Sequence, residues 1–564
     1  MQERRLLITS ALPYANGSLH FGHIVGAFLP ADVYARYQRQ HYPDKEVLYL
    51  CGSDEYGFAI TMAAEQAGKT PQEHVDYFHI EHKAFFEKMD FSFDIFSRTT
   101  NPYHASITQK FFLDLKKQGY VEKLSSEQLY SPTQQRFLAD RYVVGTCPRC
   151  QYTEARGDEC GKCAASFEAI DLIHPRAKKG GEALEKRATS HWYLRLDLFK
   201  EKLSSWLATK NWKTNVVKFI QNYIQDLRPR AITRDADWGI QVPLEEGGYE
   251  EGKVFYVWFD APIGYISIAQ EWAALQHKSE RWRDFWQDPD TKLVQFVGKD
   301  NIPFHAAFFP AILMGQTEFY KTVDELPANE FLLLEGRQFS KSDGWVIDTE
   351  QFFHNFTADQ IRYALASIAP EGQDSEFTWK DFGEKCNTDL VGKLGNFINR
   401  VLTFLHNKNG GKIPLTEKKN AASVEEALSL FKQIKECYEQ FHVRKASQLV
   451  IELASLGNRY FDHEKPWKKL ENAQQEAEEV LYNCLEIIAL LALAVYPLMP
   501  QAAQKIWELI GEEGKISVHN NLPPLQGGKP LPKPCLLFQK VEDSYIKQEQ
   551  ENLALLKAKF ANED

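Results

Sequence analysis

The sequence predicts an α/β fold joined to an all-α one: an open parallel sheet in two separated halves, a cysteine-bearing insertion between them, and a helical bundle beyond. Three observations predict it. Arg5 to Thr9 reads as a short strand, followed by a turn-rich stretch through Pro13, Asn16 and Gly17 and an amphipathic helix from about His20 to Gln40. Apolar runs at Val47 to Leu50, Val254 to Phe259, Leu293 to Val297 and Phe331 to Leu334 lead into polar or glycine-containing loops, as buried parallel strands do where they deliver polar residues to a ligand edge. From about Phe382 to Ile510 the period is helical almost throughout.

Taken in order, 1–119 is the first half of a Rossmann-type sheet domain and 231–350 its second half. Between them, 120–230 breaks the strand-helix rhythm and carries the cysteine cluster. A linking segment at 351–381 leads to the helical domain, 382–540. The charged stretch 541–564, with Leu553, Leu555 and Leu556, reads as a solvated helix or frayed tail.

A chain of 564 residues exceeds one core, and 44% hydrophobic with 25% charged residues fits an ordinary folded protein. Near the start, Leu6-Leu7-Ile8 is too short for a secretory signal core. The longest strongly apolar run, Ile487 to Tyr496, falls short of the roughly 18–20 residues a membrane helix needs and reads as a buried helix. No membrane association is expected. A net charge of −11 argues against indiscriminate nucleic-acid binding, and DNA is not an expected partner, although a local basic patch can hold a phosphate backbone.

Of nine cysteines, four fall between Cys147 and Cys163 and five are scattered, which suits a reducing cytoplasm with one metal site. Cys147 and Cys150, then nine residues, then Cys160 and Cys163, form paired Cys-x-x-Cys motifs. Four thiolates fill a tetrahedral shell and leave no open position, so this spacing predicts one structural zinc ion.

The stretch Ala11-Leu12-Pro13-Tyr14-Ala15-Asn16-Gly17-Ser18-Leu19-His20-Phe21-Gly22-His23 puts two histidines and a glycine at a helix start. Unpaired N–H groups and partial positive charge there suit a nucleotide phosphate, glycine permits close approach, and the imidazoles add donors.

His20-Phe21-Gly22-His23 resembles the first signature of class I aminoacyl-tRNA synthetases, and the preamble from Ala11 resembles the methionyl branch of that class. Further matches are Cys51-Gly52-Ser53-Asp54-Glu55-Tyr56-Gly57, Arg234 to Gly239, Tyr256 to Tyr265 and Gly298 to His305. The second signature, Lys-Met-Ser-Lys-Ser, is matched by Gln338-Phe339-Ser340-Lys341-Ser342, where Gln338 replaces the first lysine and leaves Lys341 as the cation for the departing pyrophosphate.

The resemblance implies a ligase that activates L-methionine with ATP, Mg²⁺ accompanying the nucleotide, and transfers methionine to its tRNA in the cytoplasm. It implies His20, His23 and Lys341 as catalytic residues, with Gly22, Gly298, Asp300 and Ser340 beside them on ATP. For methionine it implies Ala11, Leu12, Tyr14, Asp54, Trp258, Ala261, Pro262, Tyr265, Ile302 and His305. In that pocket Asp54 takes the ammonium, and Tyr265 and the Leu12 N–H donate to sulfur. For the anticodon it implies Asn396, Arg400, Asn458 and Trp467, an aromatic platform with nearby donors. Rival readings are a synthetase for cysteine, leucine, isoleucine or valine, a non-enzymatic tRNA-binding relative, and a zinc-dependent nucleic-acid regulator. A monomer is expected.

Overall fold

The computed structural model describes residues 4–138, 142–157, 160, 162–163, 169–340, 344–347, 349–416 and 422–561. Its central strands are β1 (Arg5–Ser10), β2 (Glu46–Ser53), β3 (Ile95–Arg98), β6 (Lys292–Gly298) and β7 (Ala328–Asn329), with β4 (Val121–Ser131) and β5 (Glu185–Leu194) in the insertion. The sheet runs β7-β6-β1-β2-β3, all parallel. β1 lies at its centre, Leu7 facing Leu48 on one side and Leu293 on the other. With both faces covered, Leu6, Leu7 and Ile8 are all fully buried, which explains an unbroken apolar run rather than an alternating one.

Helix α1 (21–41) leaves the end of β1 by way of a loop and has a π-helical turn at Ile24–Phe28. Asn329 on β7 donates its side-chain N–H to the Val25 carbonyl at 2.9 Å, pinning this wider turn to the sheet. A second π turn, Phe304–Phe308, opens helix α3 (304–314) after β6. Both stand immediately after the ligand edge of the sheet, where such turns often re-aim side chains.

Two of the expected sheet strands lie elsewhere. In the Val254 to Phe259 run, Val254 and Phe255 end the strand Tyr249–Phe255 of a small antiparallel sheet, and helix α2 (Val257–Leu275) begins two residues later. A short apolar run cannot distinguish a strand from a helix buried on most faces, and α2 is the latter. Leu332–Leu334 pairs antiparallel with Arg337–Gln338 and parallel with Ser375–Phe377 in a separate sheet. Its hairpin turn, Glu335-Gly336, has positive φ at both residues, as a tight two-residue hairpin needs.

In the insertion, β4 and β5 form a long antiparallel ladder from Val121 opposite Leu194 to Tyr130 opposite Glu185. It leads to a separate small core around Leu138, Val143, Cys147 and Cys160.

Beyond the sheet come helix α4 (379–408, π-helical over Lys385–Gly395), α5 (Ala422–Glu439), α6 (Val443–Glu464) and α7 (Gln474–Val495). The Ile487 to Tyr496 run lies at the C-terminal end of α7 and just beyond, buried through Val495. The last described helix, α8 (Asp543–Ala561), is not simply a solvated tail. Tyr545 packs against Phe356 and Trp379, Ile546 fills the space beside Gly383, and Leu553 is buried while Leu555 is exposed.

One apolar core runs from α1 through these helices. A buried ionic cluster ties them further. Arg362, wholly buried, donates to Asp32 of α1 at 2.7 Å and to the carbonyls of Leu498, Pro497 and Met89. Arg36 shares Asp32 at 2.9 Å. Burial alone would push the Asp32 carboxyl up, but the two guanidiniums outweigh it and hold it well below the usual range.

Candidate active site

The loop after β1 folds across the end of β2. Asp54 N donates to Pro13 O at 2.8 Å and Ala15 N to Asp54 O at 2.9 Å, which sets Tyr14 beside Asp54 as a local parallel bridge. Ala11 is tied to the neighbouring strand by its N–H on Phe296 O at 2.9 Å. Further on, the His20 backbone N–H donates to His23 Nδ1 at 3.2 Å, which places the proton of a neutral His23 on Nε2. The two imidazoles stack with centroids 3.6 Å apart, and His20 also stacks on Phe339 at 4.7 Å. Phe339, within the second signature, was not among the expected site residues.

A β-carbon on Gly22 would meet the His20 ring at 3.0 Å, so glycine keeps this stack in place. Ser340, at the end of the described part of that loop, is bridged to Trp345. Lys341 lies outside the described residues. At the end of β6, Gly298 has open space where a β-carbon would stand, and Asp300 is exposed nearby.

An acidic and aromatic pocket opens on the same edge. Trp258 packs edge-on against Phe304 at 4.6 Å. On α2, Pro262 and Tyr265 are buried and Ala261 is half-buried, and Ile302 and His305 are buried on the facing segment. His305 Nδ1 lies 2.9 Å from Asn301 O and can only donate there, so its Nε2 accepts from the Tyr265 hydroxyl at 2.9 Å. Burial holds the His305 imidazole down to about 4, hence neutral.

Asp54 is 3% exposed and keeps Oδ1 without a hydrogen-bond partner. Burial, then the charge of Asp260, push its carboxyl well above the usual range. Glu55 beside it pairs with Arg98 at 2.7 Å and accepts from the Ser53 hydroxyl at 2.6 Å. Arg234 stacks over Tyr256 at 3.9 Å. Glu55 and Arg234 lie within the quoted motifs, but only the fold brings them to one edge.

The four cysteine sulfurs of the insertion lie within 4.8 Å of one another. Cys147 and Cys163 are 3.8 Å apart and Cys150 and Cys160 3.6 Å, too far for disulfides and close to the roughly 3.8 Å edge of a tetrahedron with Zn–S of about 2.3 Å. The Arg149 and Cys150 N–H groups each point at Cys147 Sγ at 3.4 Å, as a thiolate ligand requires.

On the helical side, Asn396 donates to Asn458 at 3.4 Å between α4 and α6, and Arg400 pairs with Asp462 at 2.5 Å. Trp467 is 38% exposed with its inner edge on Phe461. These residues share one surface.

Residues 6–402 match the family described as tRNA synthetases class I (M), and residues 409–558 match the anticodon binding domain of methionyl tRNA ligase. The chain belongs to the methionyl class I tRNA synthetases. Among its relatives, the methionine–tRNA ligase of Protochlamydia amoebophila is 54% identical over 97% of this chain and 79% of that protein. That of Chlamydia pneumoniae is 51% identical over 90% of this chain and 92% of that one. A Mycobacterium tuberculosis methionyl-tRNA synthetase, solved in complex with methionyl-adenylate, shares the fold of this synthetase with a TM-score of 0.77 at 24% identity, covering 95% of this chain and 99% of that one. Among the described residues of the synthetase, no helix is long and apolar enough to cross a membrane.

Proposed function

We propose that this synthetase forms methionyl-adenylate from L-methionine and ATP in the acidic and aromatic pocket and passes methionine to the 3′ adenosine of its tRNA. The observation that carries the reading is a shared edge: the stacked His20–His23 helix start and the Asp54–Trp258–His305 pocket open from neighbouring strand ends of one sheet. The methionine carboxylate attacks the α-phosphate in line, and the N–H groups of α1 and the imidazoles of His20 and His23 meet the charge that develops there. Gly22 and Gly298 let backbone approach the nucleotide, while Asp300, Ser340 and Lys341 complete its surroundings.

Asp54 takes the substrate ammonium. Ala11, Leu12, Tyr14, Trp258, Ala261, Pro262, Tyr265 and Ile302 enclose the side chain, and His305, held neutral by burial, offers no charge to it. Mg²⁺ entering with ATP supplies neutralisation of the triphosphate. One zinc ion held by Cys147, Cys150, Cys160 and Cys163 fastens a core too small to hold the insertion by itself.

A cleft of about 910 Å³ beside Trp258 and Phe304, with Arg228, Arg230 and Tyr223 on its far wall, has the charge and stacking surfaces for the tRNA's terminal nucleotides. Asn396, Arg400, Asn458 and Trp467 read the anticodon, and the site of action is the cytoplasm.

The test is amino-acid-dependent ATP–pyrophosphate exchange with all twenty amino acids, repeated with Lys341→Ala. Methionine-specific exchange that collapses in the variant is the expected result. Exchange driven by a different amino acid would overturn the substrate assignment, and none at all would overturn the activity.

A further inference from the structure

Lys299 stands between Gly298, at the end of β6, and Asp300, yet none of the contacts assigned so far belongs to it. Its Nζ lies 2.9 Å from Glu330 Oε2 and 3.0 Å from Asp374 Oδ1, and 3.9 Å from the centre of the Phe331 ring. These three partners form the root of the second-signature hairpin. Glu330 and Phe331 run directly into Leu332–Leu334, which pairs with Arg337–Gln338, and Asp374 precedes Ser375–Phe377 on the other side.

The root is braced before Lys299 reaches it. Phe331 N–H donates to the same Asp374 oxygen at 2.9 Å, Ser375 N–H to Phe331 O at 3.0 Å, and Glu330 N–H to Pro370 O at 2.8 Å. A single ion pair near the surface adds little to stability. Two carboxylates meeting one ammonium over an aromatic face do something else: they fix a distance, here between β6 of the main sheet and a strand of a separate sheet.

The returning arm of the hairpin uses that distance. Phe339 follows Gln338 directly, and its ring lies 4.7 Å from the His20 imidazole at an interplanar angle of 3°. The other contact of that imidazole is the His23 ring at 3.6 Å. A hairpin that drifts by about 1 Å takes away one wall of the stack, enough to misalign a reacting group. Resting on the assignment of His20 to the charge developing at the α-phosphate, we propose that Lys299 is a positioning residue for adenylate formation. It clamps the hairpin root to β6, the clamp holds Phe339 against His20, and Phe339 keeps the imidazole aimed. Lys299 itself touches neither substrate. The methionine pocket is built on the ends of β2, α2 and α3, so loss of the clamp slows the chemical step and leaves methionine binding alone.

ATP–pyrophosphate exchange by the full-length protein, with methionine and ATP varied in turn, tests this on Lys299→Met, Lys299→Arg, Phe339→Leu and two double variants. One is Glu330→Gln/Asp374→Asn, which removes both charges at constant size and leaves an amide oxygen for Phe331 N–H. The other is Lys299→Met/Phe339→Leu. We expect kcat to fall about tenfold in Lys299→Met at an unchanged methionine KM, and Lys299→Arg to recover it to within about threefold. Glu330→Gln/Asp374→Asn should fall likewise, and Lys299→Met/Phe339→Leu should be no slower than Phe339→Leu alone. An unchanged kcat in Lys299→Met would overturn the proposal. So would full exchange in Glu330→Gln/Asp374→Asn beside a loss in Lys299→Met, since Lys299 would then serve ATP directly. Losses that multiply in Lys299→Met/Phe339→Leu, or a methionine KM that rises as kcat falls, would overturn it as general damage. If Lys299→Met does not fold, the size-preserving carboxylate variant, alone and combined with Phe339→Leu, decides the same question. Wild-type protein without exchange would instead overturn the adenylation reading beneath it.

Discussion

At Gly22 a single methyl group is decisive, because the space it would enter is already held by the His20 ring, itself stacked between His23 and Phe339. Gly22→Ala should tilt that stack while leaving α1 intact, since alanine is the better helix former. We expect ATP–pyrophosphate exchange to fall roughly 10- to 100-fold with thermal stability unchanged, because displacing a reacting group by a fraction of an ångström is costly. Tyr265→Phe acts differently. It removes the donor to buried His305 Nε2 and should cost about 1–3 kcal/mol in urea unfolding together with a raised methionine KM. An unchanged unfolding midpoint would show that the Tyr265–His305–Asn301 chain carries no load.

Among the elements, α4 and α6 approach so closely that a β-carbon on Gly457 would come within 2.3 Å of the Phe397 ring. Gly457→Ala should therefore destabilise by about 1–3 kcal/mol despite its helix propensity, and should weaken anticodon binding, since Asn396 and Asn458 flank the contact. Fluorescence titration with tRNA and chemical denaturation would check the two effects separately. The signature motifs and the Cys-x-x-Cys pairs were legible in the sequence because each concentrates its chemistry within a few residues. The sheet membership of Val254 to Phe259 and Phe331 to Leu334 was not, because short apolar runs encode burial without saying which partner buries them. The buried cluster of Asn101, His104, Ser267 and Asp260 was equally hidden, because only the folded chain brings those residues together.

Across the whole molecule, the catalytic and helical parts share a core and the Asp32–Arg36–Arg362 cluster, so neither is a free-standing module. Arg362→Met should leave Asp32 with half its compensation and cost ~3–5 kcal/mol, while adding Asp32→Asn should recover part of that loss. Guanidinium unfolding of the two variants measures both. Additive losses would mean that the pair is not coupled.

The position of β1 also matters before the protein is complete. Leu6 is synthesised well before its partner on the second side, Lys292. At about 5–20 residues per second, one flank of the sheet's central strand waits roughly 15–60 s for the strand that covers it. Through that interval the nascent chain displays an apolar strand with an open edge, the surface most prone to pair with a stranger. The strand order that sets β1 at the centre of the sheet thus leaves one of its edges open during synthesis until β6 follows.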